Sequence, residues 1–134
     1  RSVGRNSNLL LGMAISTDGD FQDEEQFIAF GKLLRETFGT PIVIHEKPES
    51  LTCTLTVPEG KAAKYLVIRE DIADGQRIRE FAVTADGREV YRSNCVGHKR
   101  IIPLAKYGAE GAKSITFQVT ETAGEARLRD VAVY

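Results

Sequence analysis

The sequence has no tryptophan, few aromatic residues and no excess of charge of either sign. Aromatic residues make up 7% of its 134 positions, and 18 basic against 19 acidic side chains leave a net charge of −1. This balance gives no electrostatic basis for binding nucleic acid or an anionic membrane surface, so neither partner is predicted. No apolar stretch approaches the roughly 18 residues of a membrane-spanning helix. The shortage of aromatic rings also argues against a sugar-binding surface, because binding sites for such ligands are usually lined by rings.

Cysteine and histidine are equally scarce, with two residues of each. Cys53 alternates with Leu51 and Leu55 along a predicted strand, a position typical of a small buried side chain. Cys95 lies in a turn-like stretch, and we expect both cysteines to be free thiols. The spacing of the cysteines and histidines fits no zinc site, and no metal or cofactor is predicted.

The chain starts at Arg1 without a methionine, and no signal-peptide pattern follows. We interpret this start as that of a truncated chain. The absence of a signal therefore says nothing about where the protein is located.

The first 40 residues predict a strand, a loop and a helix. A short apolar run at 9–13 is followed by an acidic, glycine-containing loop at 16–23. Apolar residues then recur at helical spacing, at Phe27, Phe30, Leu34 and Phe38. A glycine and a proline at 39–41 form a typical stop signal. One strand and one helix cannot bury both of their own faces, so this segment needs a packing partner.

After residue 41 the periodicity changes from helical to alternating. Apolar residues alternate with polar ones at 52–57 and 114–120. This alternation predicts one shared core face formed by Leu51, Cys53, Leu55, Ile115, Phe117 and Val119. Seven or eight short runs of this kind, separated by turn signals, predict an antiparallel β-sandwich over residues 41–134. His45 and Glu46 are interpreted as part of a linker that follows the apolar residues 42–44.

Two kinds of irregularity are predicted within the sandwich. The Asp-Gly pair at 86–87 predicts a tight hairpin turn of the primed type. Ile78 and Phe81 cannot lie on one face of a regular strand, and neither can Leu128 and Val131. Each pair therefore predicts a β-bulge or a shifted strand boundary.

Two acidic stretches are the first candidates for chemistry. The loop at 18–25 lacks a convincing spacing of calcium ligands and is interpreted as a solvated loop with an acidic helix start. The turn that runs from Glu70 and Asp71 to Arg77 could hold calcium or hydrogen-bond a sugar. We favour a structural ion pair between Glu70 and either Arg77 or Arg100, because the planar guanidinium suits a carboxylate.

Histidine offers little catalytic signal. His98 lies beside Lys99 and Arg100, and a catalytic role would need a nucleophile or an orienting carboxylate that the sequence does not place nearby. We interpret His98 as structural, and His45 carries still less signal.

Four stretches occur in an order that points to a known family. Residues 4–12 read Gly-Arg-Asn-Ser-Asn-Leu-Leu-Leu-Gly, an Asp-Gly pair follows at 18–19, and the helix ends in Phe-Gly-Thr-Pro at 38–41. This order resembles the last βα unit of the catalytic barrel of α-L-fucosidases, glycoside hydrolase family twenty-nine. Residues 69–78 and 96–101 resemble two signature stretches of the C-terminal sandwich of that family. Those stretches contain the motif residues Glu70, Asp71, Arg77, His98 and Arg100.

The resemblance implies a fold and a parent enzyme. Residues 1–40 would be the final βα unit of a (β/α)8 barrel, and residues 41–134 a jelly-roll or galactose-binding-like β-sandwich. The parent would be an exo-acting α-L-fucosidase that retains anomeric configuration, with an aspartate nucleophile and a glutamate acid/base about 5–5.5 Å apart. Both carboxylates would lie upstream of Arg1, so no catalytic residue is assigned to this chain and its substrate-binding residues are left open.

The resemblance also implies a role for the whole chain within its parent. The chain would be non-catalytic and would brace the barrel, with a carbohydrate-binding module as the alternative. The parent would act on a fucosylated glycan in a periplasmic, secreted or lysosomal compartment. Without the rest of the barrel, residues 1–40 would either fold back on the sandwich or join two copies of the chain into a homo-oligomer.

Overall fold

The computed structural model describes Gly4, residues 9–12 and residues 15–134. One helix, α1 (Glu24–Phe38), precedes eight strands in this part of the chain, and a short 3-10 helix (Leu104–Tyr107) separates the sixth strand from the seventh. The strands are β1 (Val43–Glu46), β2 (Thr52–Thr56), β3 (Tyr65–Glu70), β4 (Ile78–Ala85), β5 (Arg88–Ser93), β6 (Arg100–Pro103), β7 (Ser114–Thr122) and β8 (Leu128–Val133).

The strands form two four-stranded antiparallel sheets, ordered β1-β8-β3-β6 and β2-β7-β4-β5. Consecutive strands alternate between the sheets except at the β4–β5 hairpin. This arrangement confirms the predicted antiparallel β-sandwich. A barrel-type arrangement of residues 1–40 is not visible in the described part of the chain.

The core lies between the two sheets and follows the predicted alternation. Cys53, Leu55, Ile115 and Phe117 are buried, while the threonines of β2 are exposed. Leu51 and Val119 are partly buried against the same cluster. The rings of Phe81 and Phe117, on neighbouring strands, pack with centroids 5.3 Å apart. Both cysteines are free thiols, as predicted.

The predicted irregularities are confirmed. The register of β4 against β7 shifts on both sides of Glu80, which lets Ile78 and Phe81 both reach the core. The register of β8 against β3 shifts opposite Arg129, so that Leu128 and Val131 are both buried. At 86–87 both residues have positive φ, 47° and 84°, the backbone that a primed hairpin turn requires.

The interpretation of His45 and Glu46 as part of a linker was wrong. Val43–Glu46 forms β1 and pairs with β8, with Val43 opposite Val133. The strand has only four residues and leaves three of them exposed. So short an edge strand with one half-buried side chain produces no alternation that a sequence pattern could detect.

The predictions for the N-terminal segment are confirmed only in part. The predicted helix is confirmed, and it ends at Phe38 before Gly39. Residues 9–12 do not form the predicted strand, and Met13 lies outside the described residues. No residue of α1 is fully buried, so the helix does not lie against the sandwich along its whole length. Its contact with the sandwich is made by Phe38, whose ring packs on Tyr65 and Tyr134 with centroids 5.1 and 5.5 Å away.

Candidate functional site

Glu70 closes β3 with a buried carboxylate that is fully hydrogen-bonded. Its Oε1 accepts the backbone N–H groups of Arg77 (2.6 Å) and Ile78 (2.9 Å), and its Oε2 accepts that of Gly97 (3.1 Å). The side chain is only 2% exposed. The predicted ion pair with Arg77 or Arg100 was therefore wrong: within the described residues, peptide N–H groups take the place of the guanidinium. A buried carboxylate is stable where such donors satisfy it.

The other motif residues, Asp71, Arg77, Arg100 and His98, do not share one environment. Arg77 and Asp71 are exposed at the loop end of the sandwich, where the Asp71 carboxylate accepts the N–H of Ala73. Arg100 instead donates to the backbone oxygen of Cys95 at 2.6 and 3.2 Å and lies 3.4 Å from its Sγ. His98 is exposed next to Gly97. Through their N–H groups, Arg77, Ile78 and Gly97 form one structural unit with Glu70.

The β3–β4 loop and the β7–β8 loop together form a polar cleft, which we call the loop-end cleft. Its volume is about 390 Å³, and it is lined by Asp71, Asp74, Gly75, Arg77, Gly124, Glu125 and Arg127. A wider groove of about 900 Å³ continues from it past residues 47–51 and 128–129. The lining side chains are charged rather than aromatic.

Backbone hydrogen bonds hold the two loops together. Asp71 N–H donates to the oxygen of Arg127 (2.9 Å), and Ala123 N–H donates to the oxygen of Arg77 (2.7 Å). Sequence reasoning missed Glu125 and Arg127 as part of this cleft. The turn signal at 123–124 marks the second loop, but its position opposite the first depends on the pairing of β3 with β8.

Arg127 forms an ion pair with Glu125 in the cleft. Its guanidinium donates to Glu125 Oε1 at 2.9 Å from Nη2 and 3.2 Å from Nε. This hydrogen bond, together with the charge of Glu125 and more weakly those of Asp74 and Asp71, raises the pKa of Arg127 above its ordinary value. The pair is exposed, so it shapes the cleft more than it stabilises the fold.

A second charged group lies on the outer face of the sheet β1-β8-β3-β6. Arg69 Nη1 donates to Asp130 Oδ1 at 2.8 Å, and the Asp130 side chain is only 8% exposed. Lys99 lies near this pair. Burial lowers the pKa of Lys99, the positive charge of Arg69 lowers it further, and Asp130 partly opposes the shift.

The described part of the chain contains no group of side chains suited to bind calcium or another metal ion. No group of three or more histidine, cysteine, aspartate or glutamate side chains there could hold an ion. The acidic residues at 18–25 are exposed, in line with a solvated loop. Across the same residues, no helix combines the length and apolar character that crossing a bilayer would require.

The N-terminal segment exposes several large apolar side chains, which we call the exposed apolar set. Its members are Leu9, Leu10, Leu11, Ile15, Phe27, Ile28 and Leu33. Leu10 is 94% exposed and Ile15 is 72% exposed. Single apolar side chains on a surface are common, but this many within 25 consecutive positions indicate a surface that another element covers.

Comparisons with known proteins give matches among solved structures only. No protein-family model matches the sequence, and no curated protein matches it significantly. A Bacteroides thetaiotaomicron protein assigned as an α-L-fucosidase superposes with a TM-score of 0.88 and 27% identity, covering 99% of this chain and 31% of its own. A glycoside hydrolase 29 family member from a rumen bacterium gives 0.81 and 26%, covering 99% and 26%.

This chain resembles family 29 α-L-fucosidases. A Ruminococcus gnavus family 29 fucosidase, solved with fucose, also matches with a TM-score of 0.79, 99% coverage of this chain and 34% of its own. At 18% identity that match shows the fold alone. The chain spans about a quarter to a third of the length of the solved fucosidases it matches, which agrees with the predicted likeness to a C-terminal part.

Proposed function

We propose that this chain is the C-terminal portion of a retaining exo-α-L-fucosidase, and that it braces the catalytic barrel without taking part in the chemistry. The observation that carries the proposal is the pairing of a closed sandwich core with the exposed apolar set, in a fold that matches fucosidases about three times longer. The substrate of the parent would be an α-L-fucosyl glycan, and its compartment periplasmic, secreted or lysosomal.

The sandwich and the N-terminal segment differ in how far their large apolar side chains are buried. The sandwich buries large residues such as Phe81, Phe117 and Leu55 completely. The helix α1 buries none of its residues. Each large apolar side chain left in water forgoes about 1.5–3 kcal/mol of burial. The exposed apolar set therefore supports a missing partner surface, which in the proposed parent is the rest of the barrel.

The attachment between helix and sandwich supports a bracing role. The ring of Phe38 packs on Tyr65 at the start of β3 and on Tyr134 beyond the end of β8. Ile42 N–H donates to the oxygen of Val133 at 2.7 Å, which continues the connection into β1. A barrel that ends in α1 would be attached to the sandwich by these ring contacts, and Gly4 adds a second contact, because its oxygen accepts the N–H of Ile101 at 2.9 Å.

The experiment has two arms. The isolated chain is assayed on an aryl α-L-fucoside, and no turnover is expected because the catalytic carboxylate pair belongs to the remainder of the parent. In the second arm this chain replaces the matching third of the Bacteroides thetaiotaomicron protein, and the chimaera is assayed on the same substrate.

The chimaera is expected to hydrolyse the fucoside, whereas the same chimaera carrying Ile28→Glu and Leu33→Glu is expected to lose activity and solubility. Lys32→Glu, on an exposed side chain between these positions, is the matched control. Turnover by the isolated chain would contradict the non-catalytic role. An unaffected Ile28→Glu/Leu33→Glu chimaera would contradict docking through α1.

A further inference from the structure

The loop-end cleft has walls that are fixed before any ligand arrives. Glu70 holds the N–H groups of Arg77 and Ile78, and two interloop hydrogen bonds join residues 71 and 77 to residues 127 and 123. Asp71 caps its own turn through the N–H of Ala73. Preorganised loops of this kind lose little conformational entropy when they bind a ligand.

The cleft combines three carboxylates with two guanidinium groups, which are complementary in hydrogen bonding. Asp71, Asp74 and Glu125 offer only acceptors, and Arg77 and Arg127 offer only donors. Arg127 is engaged by Glu125. The guanidinium of Arg77 makes no hydrogen bond or ion pair with any side chain in the described part of the chain, so all its donors are available.

We propose that the loop-end cleft binds the hydroxyl edge of a neutral sugar. A sugar hydroxyl donates and accepts at once, so a pair of neighbouring hydroxyls can donate to Asp74 or Asp71 while accepting from Arg77. An anion would meet the three carboxylates, and a cation would meet the two guanidinium groups. Because no aromatic ring lines the cleft, the apolar face of the sugar gains nothing by stacking, and the dissociation constant is expected near millimolar.

The cleft lies away from the ring contacts that attach α1 to the sandwich. The cleft lies at the Glu70 end of β3, whereas Phe38 attaches the helix at Tyr65, the opposite end. A six-residue strand with a rise of about 3.3 Å per residue separates these ends by about 17 Å. Sugar binding here is thus independent of the bracing role, and either can fail without the other.

The test is a titration of the isotope-labelled chain followed by amide NMR. The probes are methyl α-L-fucoside and methyl β-D-galactoside, with acetate and methylammonium as charged comparisons. At least one sugar is expected to shift the amide signals of residues 71–77 and 123–127 in a saturable manner. Neither charged probe is expected to do so.

Variants locate the site. Arg77→Ala is expected to weaken sugar binding about tenfold or more, the loss expected for a hydrogen bond from a charged group. Arg127→Ala is expected to weaken it as well. Arg79→Ala is the matched control, because Arg79 is exposed on β4 but does not line the cleft.

Three results would overturn the proposal. They are the absence of saturable shifts with both sugars, shifts with acetate or methylammonium at the same amides, and binding that survives Arg77→Ala unchanged. The amide spectrum of each variant shows whether its fold is intact, so a loss of binding can be distinguished from unfolding.

Discussion

At position 70 a buried carboxylate accepts three N–H groups from two separate stretches of backbone. Replacing Glu70 with glutamine keeps one oxygen for Arg77 and Ile78 but turns an amide NH₂ towards the N–H of Gly97. Two donors would then face each other in a buried space. We expect Glu70→Gln to lower the free energy of unfolding by about 2–3 kcal/mol, measured by urea denaturation.

The control for this change is Glu80→Gln. Glu80 also accepts two hydrogen bonds, from Arg92 and Thr120, but its side chain is 40% exposed and water can replace them. A loss below about 1 kcal/mol is expected there. If the two glutamine variants prove equally stable, the N–H groups around residue 70 do not depend on a carboxylate.

At the scale of single residues, the sequence predicts a structural role for the Glu70 carboxylate but not which groups donate hydrogen bonds to it. The pattern of charges suggested a guanidinium, because side-chain identities are what a sequence displays. Nearly every residue has a backbone N–H, so the sequence does not show which of these groups bind Glu70. Their convergence on Glu70 arises from the loop geometry at 71–77 and 96–97. For the same physical reason, Glu125 and Arg127 were missed as neighbours of Asp71.

Lys99 gives the second prediction at this scale. Burial lowers its pKa in the folded protein, with Arg69 adding to the effect. Between the folded and the unfolded pKa the unfolded state binds more protons, so the contribution of Lys99 to stability rises with pH through that window. Lys99→Gln should stabilise the fold at neutral pH by up to about 0.5 kcal/mol and remove this rise.

Urea denaturation at neutral pH and near pH 10 checks the Lys99 prediction. Lys61→Gln, on an exposed loop residue, serves as the comparison. A Lys99→Gln variant that is less stable than the unchanged chain at neutral pH would show that attraction to Asp130 outweighs desolvation.

At the level of elements, the sequence predicts those with a strong period and misses those without one. The helix α1 and the strands β2 and β7 follow their patterns closely. The strand β1 forms because it can pair with the free edge of β8. This pairing depends on the tertiary structure and is not visible in the local sequence. The segment at 9–12 has strand-like composition but no strand beside it in the described part of the chain, and a single strand has nothing to pair with.

Phe38 gives the prediction at this scale. Its ring contacts Tyr65 and Tyr134 and is the described aromatic contact between α1 and the sandwich. Phe38→Ala should speed amide hydrogen exchange throughout residues 24–38 while the strands keep their protection. Phe27→Ala is the control, because that ring is 47% exposed and packs on Phe21 within the N-terminal segment.

A helix whose exchange is unchanged by Phe38→Ala would mean that α1 is held by something other than the three rings. An equal effect of Phe27→Ala would mean that the helix is stabilised within its own segment. Either result would remove the ring contacts of Phe38 as support for the bracing role.

For the molecule as a whole, the exposed apolar set leaves a group of large apolar side chains in contact with water. Its members lie within positions 9–33 and include side chains that are 94% and 72% exposed. Surfaces of this kind promote association, because burying apolar area releases about 25 cal/mol per Å². In the proposed parent the barrel would cover these side chains, and in its absence a second copy is the nearest available partner.

We therefore expect the isolated chain to self-associate, with an apparent mass in sedimentation that rises with concentration. Ile28→Glu combined with Leu33→Glu should restore a monomer, since both side chains are 58% exposed and neither contributes to the sandwich core. Lys32→Glu changes the charge of the same helix without removing an apolar side chain, so it should leave association intact. A chain that stays monomeric at all concentrations would show that the exposed apolar set is tolerated in water, and the argument for a missing partner surface would lose its physical basis.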